Sequence, residues 1–354
     1  MQTMSKIESL LPESKDFKNQ RQGRDIDLYY LGSDSLHVAI TNYGARIVSL
    51  LVKDKHGNWV DVVVGFSTLD GYLNANEIYH GAVIGRYANR IAKGKFKLND
   101  QYYTLNINNG PNHLHGGPNG FHDVVWEVKE AGERHLVLHY LSKDGEEGYP
   151  GNLDLSVTYK LEKNDLIIEY KASSDKDTIL NITNHAYFNL NGQGTGGIYD
   201  HELFIDANHY TPVDEALIPT GEIAPVSSTP FDFLQPKKIG ANIEEEHQQI
   251  EYGNGFDHNY VLNKGYDFGL AARAFSNSSG ITLEVLTDQP GIQFYTGNFM
   301  KGEHILKNGL KDEFRSAFCL ETQHFPDSPN HQNFPSTTLA AGEVFSSSTI
   351  FRLY

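Results

Sequence analysis

Alternation of apolar and polar residues with a period of two is the feature that most restricts how this chain can fold. Every second residue from Leu153 to Leu161 is apolar, and the residues between them are polar. A turn follows at residues 163–165, and the alternation resumes at Leu166, Ile168 and Tyr170. Because successive side chains of a strand point to opposite faces, this pattern predicts a β-hairpin with one buried face.

Similar short runs recur along the chain and are separated by Gly, Asn, Asp and Pro residues that favour turns. They are residues 36–41, 47–52, 60–64, 136–141, 281–286 and 292–295. Residues 239–250 form the one segment whose pattern reads as a helix. Many antiparallel strands with few short helices predict an all-β protein made of stacked sheets or a large barrel.

The domain organisation follows from length and composition. The chain has 354 residues, enough for one large domain or two ordinary ones. No change in composition, linker or low-complexity tract divides it. We therefore expect a polar N-terminal extension over residues 1–24 and a single β-domain over residues 25–354.

The net charge and the cysteine content limit which binding partners and which cellular location we expect. A net charge of −16 disfavours nucleic acid and anionic membranes and favours a neutral ligand. Cys319 is the only cysteine, so no intrachain disulfide can form. The first residues lack the apolar core of a secretory signal, and no stretch is long enough to span a membrane. We expect a cytoplasmic protein that is a monomer or a homodimer.

Two ionisable residues lie within apolar, aromatic runs. His185 lies among Ile182, Ala186 and Tyr187, and Glu321 follows Leu320. Burial would raise the pKa of the glutamate and lower that of the histidine, which brings both towards neutral pH, where proton transfer is efficient. Each could equally be an ordinary structural residue, because either pattern is common without catalysis.

Other polar residues leave similar alternatives open. Arg90 and the neighbouring Asn89 could bind sugar hydroxyls, or Arg90 could form a structural ion pair. The His113-Leu-His115 run places two imidazoles on one face of a strand, but a third metal ligand is missing, so we expect no metal. Asp257 and Gln293 begin or interrupt apolar strands and could be either site or surface residues.

Six motifs in a constant order resemble the aldose 1-epimerase family. They are Gly85-Arg-Tyr-Ala-Asn-Arg-Ile91, Asn112-His-Leu-His-Gly-Gly117, Thr183-Asn-His-Ala-Tyr-Phe-Asn-Leu190, Phe256-Asp-His-Asn259, Gln289-Pro-Gly-Ile-Gln-Phe-Tyr-Thr-Gly-Asn298 and Cys319-Leu-Glu-Thr-Gln-His-Phe-Pro-Asp327. Together they extend from about Tyr43 to the C-terminus, and six in order are far more specific than any one alone.

The resemblance implies an antiparallel β-supersandwich and an isomerase that interconverts the α and β anomers of free aldohexoses such as galactose and glucose. It implies that neither a cofactor nor a metal is needed. Carried onto matching positions, it makes Glu321 the general base and His185 the general acid. The residues that would hold the sugar are Asn89, Arg90, His115, Tyr187, Asp257 and Gln293.

Two alternative functions are also compatible with this sequence. A hexose-6-phosphate 1-epimerase of the same superfamily would need a cluster of Arg or Lys beside the C6 pocket. A non-catalytic sugar-binding module would need aromatic platforms and hydrogen bonds but no paired acid and base.

Overall fold

The computed structural model describes Ile7 and residues 9–354, and β-strands dominate them. In chain order the strands are β1 (Asn19–Arg21), β2 (Arg24–Ile26), β3 (Leu28–Gly32), β4 (His37–Thr41), β5 (Arg46–Lys53), β6 (Trp59–Asp61), β7 (Val83–Ile84), β8 (Arg90–Ile91), β9 (Lys95–Leu98), β10 (Gln101–Thr104), β11 (His113–Leu114), β12 (Glu127–Ala131), β13 (His135–Ser142), β14 (Leu153–Glu162), β15 (Asp165–Ser174), β16 (Thr178–Ile179), β17 (Thr183–Asn184), β18 (Glu202–Ile205), β19 (His209–Tyr210), β20 (Ala224–Pro225), β21 (Lys237–Lys238), β22 (Asp257–Val261), β23 (Gly269–Phe275), β24 (Thr282–Thr287), β25 (Gly291–Tyr295), β26 (Cys319–Gln323), β27 (Thr338–Leu339) and β28 (Val344–Leu353). Two α-helices lie entirely within the described residues, α1 (Leu69–Leu73) and α2 (Gln248–Gly253).

Three large antiparallel sheets carry the architecture. A nine-stranded sheet has the order β12-β13-β14-β15-β28-β24-β23-β18-β21, a five-stranded sheet the order β20-β19-β22-β25-β26, and a four-stranded sheet the order β3-β4-β5-β6. One continuous core contains Leu155 from the first sheet, Phe294 from the second and Val38 from the third, all fully buried. The sheets therefore pack face to face around a shared apolar interior.

The predicted hairpin is present as β14 and β15. Leu161 pairs with Leu166 and Glu162 with Asp165, so Lys163 and Asn164 form the turn. The odd positions of β14 are buried and the even positions are half-buried or exposed, as the alternation predicts. The other six predicted strands overlap β4, β5, β6, β13, β24 and β25, and the all-β interpretation is confirmed.

The predicted helix over residues 239–250 is wrong for most of its length. The chain forms a 3₁₀ turn at Ile239–Ala241, leaves helical geometry at Asn242, and becomes α-helical only at Gln248–Gly253. His247 begins that helix, because its Nδ1 atom accepts a hydrogen bond from the backbone N–H of Gln249 at 3.2 Å. The helix-like spacing of buried residues instead comes from two separate turns packed on the core.

The division into an extension and a single domain stays a prediction. Residues 1–6 and 8 of the predicted extension lie outside the described residues. Within its described part, Phe17 is fully buried against Tyr72, and Arg21 forms an ion pair with Asp123 at 2.9 Å. Among the described residues, no helix has the length and apolar character needed to cross a bilayer.

Candidate active site

Glu321 lies at the centre of β26, the last strand of the five-stranded sheet. Strand register places it beside Gln293 of β25, which in turn lies beside Asn259 of β22. Since side chains alternate between faces, Asp257 projects from the same face as these residues, while Phe294 and Leu320 enter the apolar core on the other face. The sheet therefore presents the row Asn259, Gln293 and Glu321 on one face, and Phe294 and Leu320 on the face that packs against the core.

His185 follows the short strand β17 and lies directly against this polar row. Its backbone is fixed by two hydrogen bonds, from its N–H to the carbonyl of Ala82 at 2.8 Å and from the N–H of Gly81 to its carbonyl at 2.9 Å. Its Nε2 atom lies 3.5 Å from Oε1 of Glu321, and its Nδ1 atom lies 3.4 Å from Sγ of Cys319. Both members of the pair are almost fully buried.

Asn89 directly precedes β8, Arg90 begins it, and His115 directly follows β11, which pairs with β8. The backbone N–H of Asn89 donates to Nδ1 of His115 at 3.1 Å, so His115 can present Nε2 to the cavity. Gly116 follows His115 with a positive φ of 83°, and a Cβ there would meet the carbonyl oxygen of Gly85 at 1.8 Å. Only glycine permits this close approach of the two backbones, which holds the His115 turn in place.

Arg90 makes the contacts of a structural ion pair and also lies in the cavity wall, so its binding of sugar hydroxyls stays a prediction. Its Nε donates to Oδ1 of Asn109 at 3.1 Å, and its Nη1 lies 3.7 Å from Oδ2 of Asp257. The same side chain also lines the cavity. Oδ1 of Asp257 accepts a hydrogen bond from Nε2 of Gln293 at 2.6 Å, so Gln293 orients Asp257.

A cavity of about 580 Å³ brings most of the predicted site residues together. Its walls include Asn89, Arg90, His115, His185, Tyr187, Asp257 and Glu321. Gln293 is not part of the wall and contacts it through Asp257. His113 lies away from the cavity, where its Nε2 bonds the hydroxyl of Tyr149 at 2.6 Å.

The sequence profile of the aldose 1-epimerases matches residues 27–352. The chain belongs to the aldose 1-epimerase family. The galactose mutarotase of Homo sapiens is 47% identical over 330 residues, which cover 93% of this chain and 94% of that protein. The aldose 1-epimerase of Escherichia coli (strain K12) is 35% identical over 319 residues, which cover 89% of this chain and 91% of that protein.

Solved structures of aldose epimerases share the fold. A homologue from C. elegans superimposes with a TM-score of 0.85 at 29% identity, covering 92% of this chain and 98% of its own. The galactose 1-epimerase of Lactobacillus acidophilus NCFM superimposes with a TM-score of 0.83 at 31% identity, covering 95% and 97%. The family resemblance, the galactose mutarotase-like fold and the interpretation as an isomerase that interconverts aldose anomers are thus confirmed.

Burial determines which of the two residues Glu321 and His185 carries a proton. It raises the pKa of Glu321 well above 4.5, with help from the negative charge of Asp257 and against the positive charge of Arg90. It lowers the pKa of His185 to about 3. These shifts favour a proton on Glu321 and a neutral His185, because the two uncharged forms cost least when the groups are buried.

Among the described residues, one cluster of three side chains could offer ligands to a metal ion. His115, His185 and Glu321 each offer a ligand atom, and these atoms lie within 4.8 Å of one another. Ligand atoms on a tetrahedral zinc ion with bonds of about 2.1 Å lie roughly 3.4 Å apart. The 3.5 Å between Nε2 of His185 and Oε1 of Glu321 is close to this spacing, so the three side chains could hold an ion, and the expectation that no metal is needed stays a prediction.

Several wall residues were not predicted from the sequence. Glu77, Tyr79, Tyr252, Tyr295 and Phe299 all line the cavity. Glu77 accepts a hydrogen bond from the hydroxyl of Tyr187 at 2.7 Å, so this predicted sugar-binding residue already has a protein partner. Glu77 lies in a polar loop with no periodic pattern, and only its position in space distinguishes it from other acidic loop residues.

Proposed function

We propose that this cavity interconverts the α and β anomers of free aldohexoses, with Glu321 as general base and His185 as general acid. The observation that carries the proposal is the 3.5 Å separation of their reactive atoms. The C1 hydroxyl and the ring oxygen of a pyranose are bonded to the same carbon. A base and an acid that serve these two oxygens must therefore lie close together, as Glu321 and His185 do.

Ring opening begins with Glu321 as carboxylate and His185 as imidazolium. Glu321 takes the proton of the C1 hydroxyl, the C1–O5 bond breaks, and O5 takes a proton from Nε2 of His185 while the C1 carbonyl forms. Rotation about C1–C2 exposes the other carbonyl face, and the reverse transfers close the ring. Each positioned proton transfer contributes about 10²–10⁴-fold.

The protonation that burial favours matches the open-chain stage of this cycle. After ring opening Glu321 carries a proton and His185 is neutral, which is the combination that burial favours. The starting pair of charges costs more, and polar groups of the bound sugar compensate by hydrogen bonding to the Glu321 carboxylate. Oε2 of Glu321 has no hydrogen-bond partner among the described residues and can accept such a bond.

Asn89, Arg90, His115 and Asp257 hold the sugar directly in this proposal, and Gln293 acts by orienting Asp257. Tyr187 contributes mainly its ring, because its hydroxyl is bonded to Glu77. Galactose is a proposed substrate because the similar mammalian proteins are galactose mutarotases; glucose differs from it at one hydroxyl. We further propose a cytoplasmic location, which the single reduced cysteine supports, and a monomeric or homodimeric state.

The charges around the cavity argue against a hexose 6-phosphate as substrate. Its wall contains the carboxyl groups of Glu77, Glu215, Asp257 and Glu321 but a single guanidinium, that of Arg90. Arg90 is already close to Asp257. A phosphate dianion would need more cationic donors than this wall provides.

Polarimetry of freshly dissolved α-galactose, α-glucose and α-glucose 6-phosphate tests the proposal. We expect rapid anomerisation of the two free sugars and little acceleration with the phosphate. Glu321→Gln should lose nearly all turnover and still bind galactose in calorimetry, because the amide keeps the shape but cannot accept the proton. Wild-type protein that binds galactose and leaves its anomerisation at the spontaneous rate would instead be a sugar-binding module.

A further inference from the structure

His185 lies inside a stack of nearly parallel rings. The ring of Tyr187 covers one face of its imidazole, with centroids 4.9 Å apart and planes 19° apart. Tyr79 is stacked with the same imidazole at 5.9 Å and 21°. His80 lies on the far side of Tyr187 at 4.2 Å and 17°. The stack fixes the plane in which Nε2 of His185 faces Glu321.

Glu77 is attached to this stack through one hydrogen bond. Its Oε2 accepts from the hydroxyl of Tyr187 at 2.7 Å. The carboxyl group lies in the cavity wall, and no ion pair to it is formed among the described residues. Burial raises its pKa, and the hydrogen bond from Tyr187 opposes that rise by stabilising the carboxylate.

We propose that Glu77 is a positioning residue that acts through Tyr187 to stabilise the imidazolium form of His185. A carboxylate at the hydroxyl of Tyr187 pulls the O–H proton towards itself and enriches the phenol ring in electron density. An electron-rich ring face attracts a cation stacked on it more strongly. This inference rests on the proposed function, because it concerns the protonated form of the acid that function requires.

The groups around His185 explain why its imidazolium form needs a stabilising negative charge. The groups that face it from the packed elements are Cys319 at Nδ1, Glu321 at Nε2, His115 at 5.2 Å between ring centroids, and the rings of Tyr79, Tyr187 and Tyr295. At longer range lie His80, His122 and Arg46. The thiol of Cys319 is neutral, since burial raises its pKa well above 9.0. Arg46 disfavours a second positive charge. Glu321 exchanges its proton with the substrate, whereas Glu77 takes no part in that exchange and is held at the hydroxyl of Tyr187.

Steady-state kinetics of Glu77→Gln and Tyr187→Phe test the inference by polarimetry with α-galactose across pH. In Glu77→Gln the amide can still accept from Tyr187, but the charge is gone. We expect kcat to fall roughly 3- to 30-fold with little change in KM, because the loss is confined to the charged form of His185. The kcat–pH profile should move to lower pH, since an imidazolium that has lost a nearby negative charge gives up its proton more readily.

The double variant tells whether Glu77 works through Tyr187. Tyr187→Phe keeps the ring and breaks the hydrogen bond, so Glu77→Gln/Tyr187→Phe should be no slower than the slower single variant. Glu303→Gln is the matched control: Glu303 is an exposed carboxylate that contacts Asn76, next to Glu77 in the chain, and does not touch the rings. It should keep the wild-type kcat and pH profile.

Contrary outcomes separate this inference from the proposed function. A rise in KM alone for Glu77→Gln would mean that Glu77 binds the sugar directly. An unchanged kcat and pH profile in folded Glu77→Gln, or additive losses in the double variant, would also overturn the positioning role. If Glu77→Gln is poorly folded, Tyr187→Phe measures the same link. Failure of the wild-type protein to accelerate anomerisation would overturn the proposed function itself.

Discussion

The two imidazoles of the cavity are oriented by contacts at their Nδ1 atoms. His115 accepts the backbone N–H of Asn89, and His185 lies against the thiol of Cys319. In each ring Nε2 is left to face the cavity. Holding one nitrogen fixes the plane and the position of the other, which is how proteins prepare an imidazole for proton transfer or hydrogen bonding.

Replacing His185 by Asn should abolish most turnover, because the amide has no proton to exchange near neutral pH. We expect kcat for galactose anomerisation to fall about 10²–10⁴-fold. Proton NMR of the anomeric signals measures the rate after dissolving α-galactose. His56→Asn, at an exposed position, is the control and should match the wild type. Retention of most activity by folded His185→Asn would remove His185 from the acid role.

In the five-stranded sheet, the residues proposed for catalysis and those that pack the core lie on opposite faces. Glu321 faces the cavity and Leu320 the core, although they are adjacent in β26. In β25, Gln293 lies beside Glu321 on the same face, and Phe294 lies in the core on the other. A shift of register by one residue would exchange these sets, burying carboxyl groups in the apolar core. The polar row is thus maintained by the packing on the opposite face.

The alternation in β14 gives a direct test of how the large sheet is stabilised. Leu155 is fully buried and Ser156 is half-buried. Leu155→Ala should lower the free energy of unfolding by about 2–5 kcal/mol, because it leaves a cavity in the shared core. Ser156→Ala should change it by no more than about 0.5 kcal/mol. Urea denaturation followed by fluorescence measures both, and equal losses would contradict the assigned faces.

The strand pattern was predictable because period two is a local property of the sequence, and the error at residues 239–250 is equally local. Ile239, Ile243 and Ile250 are all buried, which mimics the spacing of a helix. The break at Asn242 and the new start at His247 depend on how the segment packs. Spacing of buried residues alone cannot distinguish one helix from two turns.

Several histidines are buried in their neutral form, and this makes the stability of the folded protein depend on pH. The pKa is lowered to about 4 in His80, His201 and His324, and to about 3 in His122 and His258. In each case burial is the main cause. An unfolded chain binds these protons near pH 6.5, so the unfolded state is favoured as pH falls below that value.

We expect the melting temperature to fall between pH 6.5 and about pH 4, the window set by these lowered pKa values. The raised pKa values of Glu77, Asp257 and Glu321 act in the opposite sense, since the folded protein gains stability as they become protonated. His201 is suited to measuring how much one buried histidine contributes to this pH dependence, because it lies outside the cavity wall. Its Nε2 accepts a hydrogen bond from the N–H of Leu190 at 3.0 Å.

In His201→Gln the acceptor can be kept while the titration is removed. The variant should lose about 3 kcal/mol less stability than the wild type over this pH range, as one such histidine contributes that much. Calorimetry of both proteins at several pH values measures the difference. Parallel curves for the two proteins would show that His201 does not titrate in this way.

The strand-rich class, the family and most of the predicted site residues that gather in the cavity could be recognised from the sequence. Local alternation and short motifs carry that information without any reference to distant residues. The 3.5 Å separation of His185 and Glu321, the hydrogen bond from Gln293 to Asp257 and the place of Glu77 in the cavity wall follow from tertiary packing alone. Pairing between strands and exclusion of water depend on residues far apart in the chain, and these two effects set the geometry and the protonation of the site.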